Sequence, residues 1–162
     1  MKKIISLILV LIISLSLIAC SDIDLGFEDE DQVETVENTN DQAPDGIDEN
    51  GTYTSKEDVA LYLYTYDKLP KNFIKKKQAI ELGWEANKGN LWDVSDKMSI
   101  GGDRFGNREK RLPIKEGRSY YECDINYDGG YRGPERLVYS DDGLIYYTGD
   151  HYDSFTLLYG DE

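Results

Sequence analysis

Two cysteines and one histidine are all the thiol and imidazole that 162 residues supply. A lone histidine, His151, and a thiol at Cys123 beside Glu122 do not make a ligand set for a structural or catalytic metal, so no metal and no cofactor is expected. Phosphate-loop, dinucleotide-binding and Gly-x-Ser-x-Gly patterns are missing, which argues against the chemistries those motifs carry. Long apolar runs are missing too. The longest, Ile4 to Ala19, covers 16 residues and is broken by Ser6, Ser14 and Ser16. It is short of the ~20 residues a spanning helix needs.

What is present falls into three zones. Residues 1–19 have a charged start, a short apolar middle and a small residue before a cleavage point, the marks of a secretory signal. Leu17-Ile18-Ala19-Cys20 resembles a bacterial lipoprotein signal, which implies cleavage before Cys20 and lipid on its thiol; ordinary secretion with a chance cysteine is the alternative. Residues 20–50 form an acidic tether. From Ser21 to Asn50 there are twelve Asp or Glu, no Lys or Arg, and one aromatic residue, Phe27. Such a stretch buries too little apolar surface to offset the entropy of ordering. Residues 51–162 hold twenty acidic and sixteen basic residues, leaving the zone about four charges negative. It is large enough to bury one core without a disulfide, and Cys123 reads there as a small buried hydrophobe.

Within this third zone, Ser55 to Asp58 predicts a capped helix start. Val59, Leu63 and Tyr66 then share a face, with Ala60 and Leu61 at its edges, and Leu69-Pro70 ends the helix. A second helix is predicted from about Lys75 to Leu82, stopping at Gly83, and a short helical turn after Asn90. Gly101-Gly102-Asp103 reads as a loop. From about Arg118 the pattern becomes alternating: Tyr121, Cys123 and Ile125 on one face of a strand, Tyr120, Glu122 and Asp124 on the other. Turns at Asp128 to Gly130 and Asp141 to Gly143 separate further strands over Leu137 to Tyr139 and Leu144 to Tyr147, with a last one over Phe155 to Tyr159. Helices first and strands second predict an α+β domain, with N-terminal helices packed on one face of a twisted antiparallel sheet.

Few residues can carry chemistry. A lone histidine near a strand end is more often solvated than catalytic, and a strand glutamate more often faces solvent. Arg132 and Arg136 change the balance. They lie four apart, on and just beyond the turn after the Glu122 strand, and can approach the strand ends near His151. With Lys76 at the start of the second helix, they suggest a local anion site in an otherwise acidic domain.

The ordered set Leu69-Pro70, Ala86 to Leu91, Ser99 to Asp103, Phe105, Asn107-Arg108-Glu109, Leu112-Pro113, Glu122 to Tyr127, Arg132, Arg136, Tyr139-Ser140 and Asp150-His151-Tyr152 resembles the barnase-type secreted ribonucleases over essentially the whole third zone. The resemblance implies an endoribonuclease that needs no metal and prefers to cut single-stranded RNA after guanosine. It assigns Glu122 as general base and His151 as general acid. It places Lys76, Arg132 and Arg136 on the scissile phosphate, and Phe105, Asn107, Arg108 and Glu109 in a guanine-reading loop. Lys88 and Tyr152 match further active-site positions. A small barstar-like cytoplasmic inhibitor protein is the implied partner, and the enzyme is expected to be monomeric, outside the cell and held there by lipid on Cys20.

Three departures accompany the resemblance. Gly106 stands where the family usually has serine. Asp67 puts an acid at a helix end where a cation would suit the dipole. The domain is net acidic where well-known relatives are basic, which predicts weaker RNA binding and rates more sensitive to salt. The competing reading is a surface lipoprotein that keeps the cleft but uses it to hold an anion or a protein. A glycosidase built on Glu122 and Asp124 has little support, because residues two apart on one strand lie too close together.

Overall fold

The computed structural model describes residues 46–162; the predicted signal, Cys20 and residues 20–45 of the tether lie outside the described residues. In chain order the elements are α1 (Lys56–Tyr66), β1 (Phe73–Ile74), α2 (Lys76–Glu81), α3 (Leu91–Val94), β2 (Ser99–Phe105), β3 (Tyr120–Asp124), β4 (Arg136–Ser140), β5 (Ile145–Thr148) and β6 (Thr156–Tyr159). The six strands form one sheet in sequential order, antiparallel except for the β1–β2 pair. This is the α+β architecture predicted. Among the described residues no helix is long and apolar enough to cross a membrane.

α1 starts where the capping signal places it. The Asp58 amide donates to Ser55 Oγ at 3.1 Å, and that hydroxyl donates to Asp58 Oδ2 at 2.7 Å. The helix closes at Asp67, whose left-handed backbone (φ 51°) lets its amide donate to the Leu63 carbonyl at 2.9 Å. The buried face is Val59, Ala60, Tyr62 and Leu63, rather than the stripe through Tyr66 that spacing alone suggests. Tyr62 is fully inside because its hydroxyl has a partner, donating to the Glu49 carbonyl at 2.7 Å. Tyr66 likewise donates to the Ile47 carbonyl at 2.8 Å. Among the described residues the packed body therefore extends back to Ile47, which is buried, four residues ahead of Gly51. One apolar residue within an acidic run gave composition no boundary to detect there.

Residues 99–105 are a strand, not the loop that two glycines suggest. A bulge between Gly101 and Asp103 accommodates them: Gly102 sits at φ 85°, and Gly101 lies so close to its neighbours that a Cβ would fall 2.6 Å from Cys123 Cβ and 2.8 Å from Phe73 Cδ1. The glycines are there because β2 is pressed against β3 and β1.

Three clusters fill the interior. α1 covers one face of the sheet through Val59, Ala60 and Leu63, which meet Cys123, Ile125, Leu137 and Ile145. Cys123 is buried as expected, and burial pushes its thiol up, away from reactivity. Ala79, Trp84, Leu91, Ile100 and Tyr127 pack α2 and α3 near the β1–β2 edge. Tyr120, Val138 and Tyr146 project from the other face with Leu112 and Leu144, joined by Phe105, Tyr152 and Phe155. Strand alternation puts Glu122 on this second face.

Candidate active site

Glu122 is nearly enclosed, at 8% exposure, so its charge needs partners. It has two. Lys76 Nζ donates to Oε1 at 2.6 Å and Tyr152 Oη to Oε2 at 2.7 Å. Burial alone would raise the carboxyl; the hydrogen bonds from Lys76 and Tyr152, with the charges of Lys76 and Arg132, outweigh it and hold Glu122 below its ordinary value. Conversely, burial and the Glu122 carboxylate raise the Tyr152 phenol to about 12. Glu122 is therefore ionised at neutral pH, with both oxygens engaged and lone pairs left to accept another proton donor.

Lys76 is placed by the fold rather than by its own long side chain. Asp103, paired with Glu122 across β2 and β3, accepts the Lys76 amide at 2.9 Å. That bond holds the first residue of α2 beside the strand that carries the glutamate.

The two arginines are organised by Asp124, itself 2% exposed. Arg132 Nη2 donates to Asp124 Oδ1 at 2.6 Å, and Arg136 Nε lies 2.8 Å from the same oxygen as an ion pair. Register explains the meeting: Asp124 pairs with Arg136 across β3 and β4, and Arg136 with Thr148 across β4 and β5. Arg136 is further fixed by donating to the carbonyls of Gly133 and Glu135, at 2.8 and 2.6 Å. Arg132 lies 5.9 Å from the Trp84 ring, a cation–π contact.

The same end of the sheet carries the loop from Gly149 to Phe155. Asp150 ties it down: Thr148 Oγ1 and the Ser154 amide donate to Oδ1, each at 2.9 Å, and Ser154 Oγ to Oδ2 at 2.6 Å. Those hydrogen bonds, Ser154 first, lower the Asp150 carboxyl to about 2. The braced loop holds His151 and Tyr152 in the left-handed region, at φ 56° and 74°. Tyr152 turns in to Glu122, while His151, its neighbour, is exposed to solvent.

The remaining predicted residues divide. Phe105 packs on Tyr152, ring centroids 5.3 Å apart, and joins the loop over residues 106–109 to the site. Residues 104–109 line a cleft of about 370 Å³. Asn107 spends both ends of its amide inside this loop, donating to the Leu112 carbonyl at 2.9 Å and accepting the Leu112 amide at 3.1 Å. Its side chain is committed to the shape of the loop. Lys88 is not brought to Glu122. It pairs with Glu85 at 2.6 Å on the surface. Its loop nevertheless lies against the turn before Arg132, since a Cβ on Gly89 would fall 2.8 Å from the Gly130 carbonyl carbon. Asp124, Asp103 and Asp150 belong to the ordered set that carries the resemblance, but no role was assigned to them there. A second acid two residues from Glu122, with two arginines nearby, was the available signal for Asp124.

The α+β domain presents one hydrogen-bonded, buried carboxylate with two guanidinium groups at the same end of the sheet and an exposed imidazole on the adjoining loop, a set of groups able to exchange protons and attract an anion. The chain belongs to the ribonuclease family: that family's model matches residues 56–159. It is 57% identical over 100 residues to proteins named ribonuclease from Bacillus intermedius and Bacillus pumilus, a match covering 62% of this chain and 62% of each relative. The same identity over 100 residues is found with a ribonuclease from Heyndrickxia coagulans, covering 62% of this chain and 92% of that protein.

Proposed function

We propose that the protein is an extracellular endoribonuclease that cuts single-stranded RNA, with preference for the bond after guanosine and without a metal ion. The observation that carries this reading is the carboxylate of Glu122 held ionised by Lys76 and Tyr152, next to the pair of guanidinium groups clamped on Asp124.

RNA supplies its own nucleophile. Glu122 takes the proton of the ribose 2′-hydroxyl as that oxygen bonds to phosphorus. The bond from phosphorus to the 5′-oxygen of the next nucleotide breaks, and a protonated His151 delivers a proton to that leaving oxygen. The product is a 2′,3′-cyclic phosphate, which water opens with the two roles reversed. Negative charge grows on the non-bridging oxygens during the step, where Lys76, Arg132 and Arg136 stabilise it most. In the loop, Glu109 can accept from the guanine edge, and backbone amides around Phe105 and Gly106 can donate to its carbonyl. Arg108 lies over Gly106: a Cβ there would sit 3.5 Å from Arg108 Cγ. DNA lacks the attacking hydroxyl and is not cut.

The family match supports RNA cleavage as the activity, and the resemblance in residues 105–109 supports guanine preference. Export, a lipid anchor on Cys20, a monomeric state and inhibition by a small acidic barstar-like protein are carried over as part of the same reading. The test is the full-length protein with guanosine-containing dinucleotides in the presence of a chelator. Cleavage is expected, with a cyclic phosphate as the first product and slower turnover when another base precedes the cut. Glu122→Ala and His151→Ala should each lower turnover by about 10²–10⁴-fold. A folded protein that leaves the dinucleotide intact, or variants that retain full turnover, would remove the proposal.

A further inference from the structure

The face of the sheet that α1 covers, opposite to Glu122, holds a cleft of its own. It lies between the C-terminal end of α1 and the β4–β5 turn and has a volume of about 300 Å³. Leu63 and Ile145, both buried in the core beneath α1, lie at its base. Tyr64 and Tyr139 line it as aromatic walls. Each ring is held by a neighbour: Tyr64 stacks on Tyr159 with centroids 4.6 Å apart, and Tyr139 lies against Tyr121 at 5.8 Å. Gly143 leaves the turn side open, since a Cβ there would meet nothing within 4 Å.

The uncompensated charge at this cleft is negative. Asp67 and Asp141 line it, and among the described residues neither has a cation within 4.0 Å. Lys68, next in sequence to Asp67, is bonded to Glu49 instead. Asp141 accepts the Ser119 amide on Oδ1 at 2.9 Å. Asp142, the third acid of the lining, is already neutralised by Arg118 and Lys115, at 2.8 and 3.0 Å. The negative end of the α1 dipole falls here too, and the last turn of that helix has no basic residue. Burial above all, and to a lesser degree the Asp67 charge, push up the Tyr139 phenol, so that carboxylate is felt at the wall. An acid at a helix C-terminus costs stability, and a bound cation would offset the cost.

The lining selects the cation. Among the described residues no three acids, thiols or imidazoles converge as a metal ion would require. Two carboxylates, two ring faces and an aliphatic base suit a group that is charged at one end and apolar along its body. We propose that this cleft binds a small aliphatic amine in its ammonium form, with Asp67 and Asp141 accepting its N–H groups and Tyr64 and Tyr139 covering its hydrocarbon. The site is separate from the candidate active site, on the other face of the sheet, and does not depend on RNA cleavage.

The test titrates the full chain with pentylamine at fixed ionic strength and follows the backbone amide resonances. Binding should saturate, with Kd on the order of 1 mM and shifts centred on residues 63–67 and 139–145. Ammonium chloride and pentanol, which carry the charge and the hydrocarbon separately, should each bind at least about tenfold more weakly. Asp67→Asn/Asp141→Asn should weaken pentylamine by about tenfold and Tyr64→Ala by about threefold. Glu81→Gln, which removes an acid from exposed α2, should change nothing. Thermal melts establish that the variants are folded, and Asp67→Asn should melt no lower than wild type. Dinucleotide turnover should be the same with and without the amine, so either reading can fail while the other stands. No saturation, shifts confined to residues 21–45, an equal response to ammonium chloride, or affinity that survives the double variant would each overturn the inference. Tighter binding of Nα-acetyl-lysine amide than of pentylamine would also overturn it, in favour of a lysine side chain from a partner protein.

Discussion

Replacing Asp124 with asparagine removes one charge and no volume, so its consequences isolate the electrostatics of the clamp. Asp124 is fully inside, faces two guanidinium groups at 2.6 and 2.8 Å, and one of those, Arg136, has a side chain only 4% exposed. Asparagine offers a single acceptor oxygen and turns an N–H₂ group toward one of the arginines. Breaking a buried pair by removing one partner costs ~3–5 kcal/mol, because the other charge remains buried without compensation. At ~3–5 °C per kcal/mol for a domain of this size, Tm should fall by roughly 10–20 °C. Turnover, measured well below the new Tm, should also fall, because Arg132 is then free to leave the phosphate position. A thermal melt and a dinucleotide assay on Asp124→Asn give both numbers. The double-mutant cycle with Arg132→Gln supplies the coupling: interacting partners show ~0.5–3 kcal/mol, and a coupling near zero, or a Tm within 3 °C of wild type, would refute the clamp.

Tyr152→Phe should move the acid limb of the kcat/KM–pH profile upward. Glu122 is held below its ordinary value partly by that hydroxyl, so its loss lets the carboxylate protonate at higher pH. The sign for stability is the same: a depressed carboxyl stabilises the fold above its unfolded pKa and loses that contribution as pH falls through its folded pKa. An acid limb that stays in place or moves down would contradict the assignment. Gly101→Ala should cost ~1–3 kcal/mol in denaturant unfolding, since the new methyl meets Cys123 Cβ, which is fixed to the paired strand β3 and cannot swing aside; an unchanged midpoint would show that β2 is not pressed against its neighbours. Asp67→Asn keeps the left-handed residue but removes an acid from the C-terminal end of α1, and should raise stability by ~0.3–1 kcal/mol in the same assay, with activity unchanged.

The parts of the fold that sequence spacing revealed are those where local signals agree. Ser55 with Asp58, Gly83 after α2, the alternation from Tyr120 to Ile125 and the Asp141-Asp142-Gly143 turn each combine a pattern with a matching terminus. β1 and β2 were not visible. β1 has only two residues, and its one partner lies 26 positions away in Ser99 and Ile100, so nothing local distinguishes it. β2 carries two glycines whose reason is a tertiary close approach, and such an approach has no signature along the chain. The same holds for Tyr62, whose burial depends on a carbonyl at Glu49.

The candidate site shows a similar division, and charge counting exposes it. Three cations, Lys76, Arg132 and Arg136, face two buried acids, Glu122 and Asp124, so the group carries about one net positive charge rather than three. A motif lists the cations as phosphate ligands, yet each already has an anion in contact. In the proposed reaction, what they offer a phosphoryl group therefore comes from direction more than from excess charge. Asp124 fixes the Arg132 guanidinium and pairs with Arg136, whose own plane is set by the Gly133 and Glu135 carbonyls; Asp103 fixes the start of α2, and Asp150 fixes the loop that presents His151 and Tyr152. Donors fixed in advance need no reorganisation as charge develops, which is the condition under which they favour a transition state over a ground state. In the proposed reaction this is how an acidic domain would hold a polyanion: the aspartates that add to its negative charge are the residues that position its positive ones.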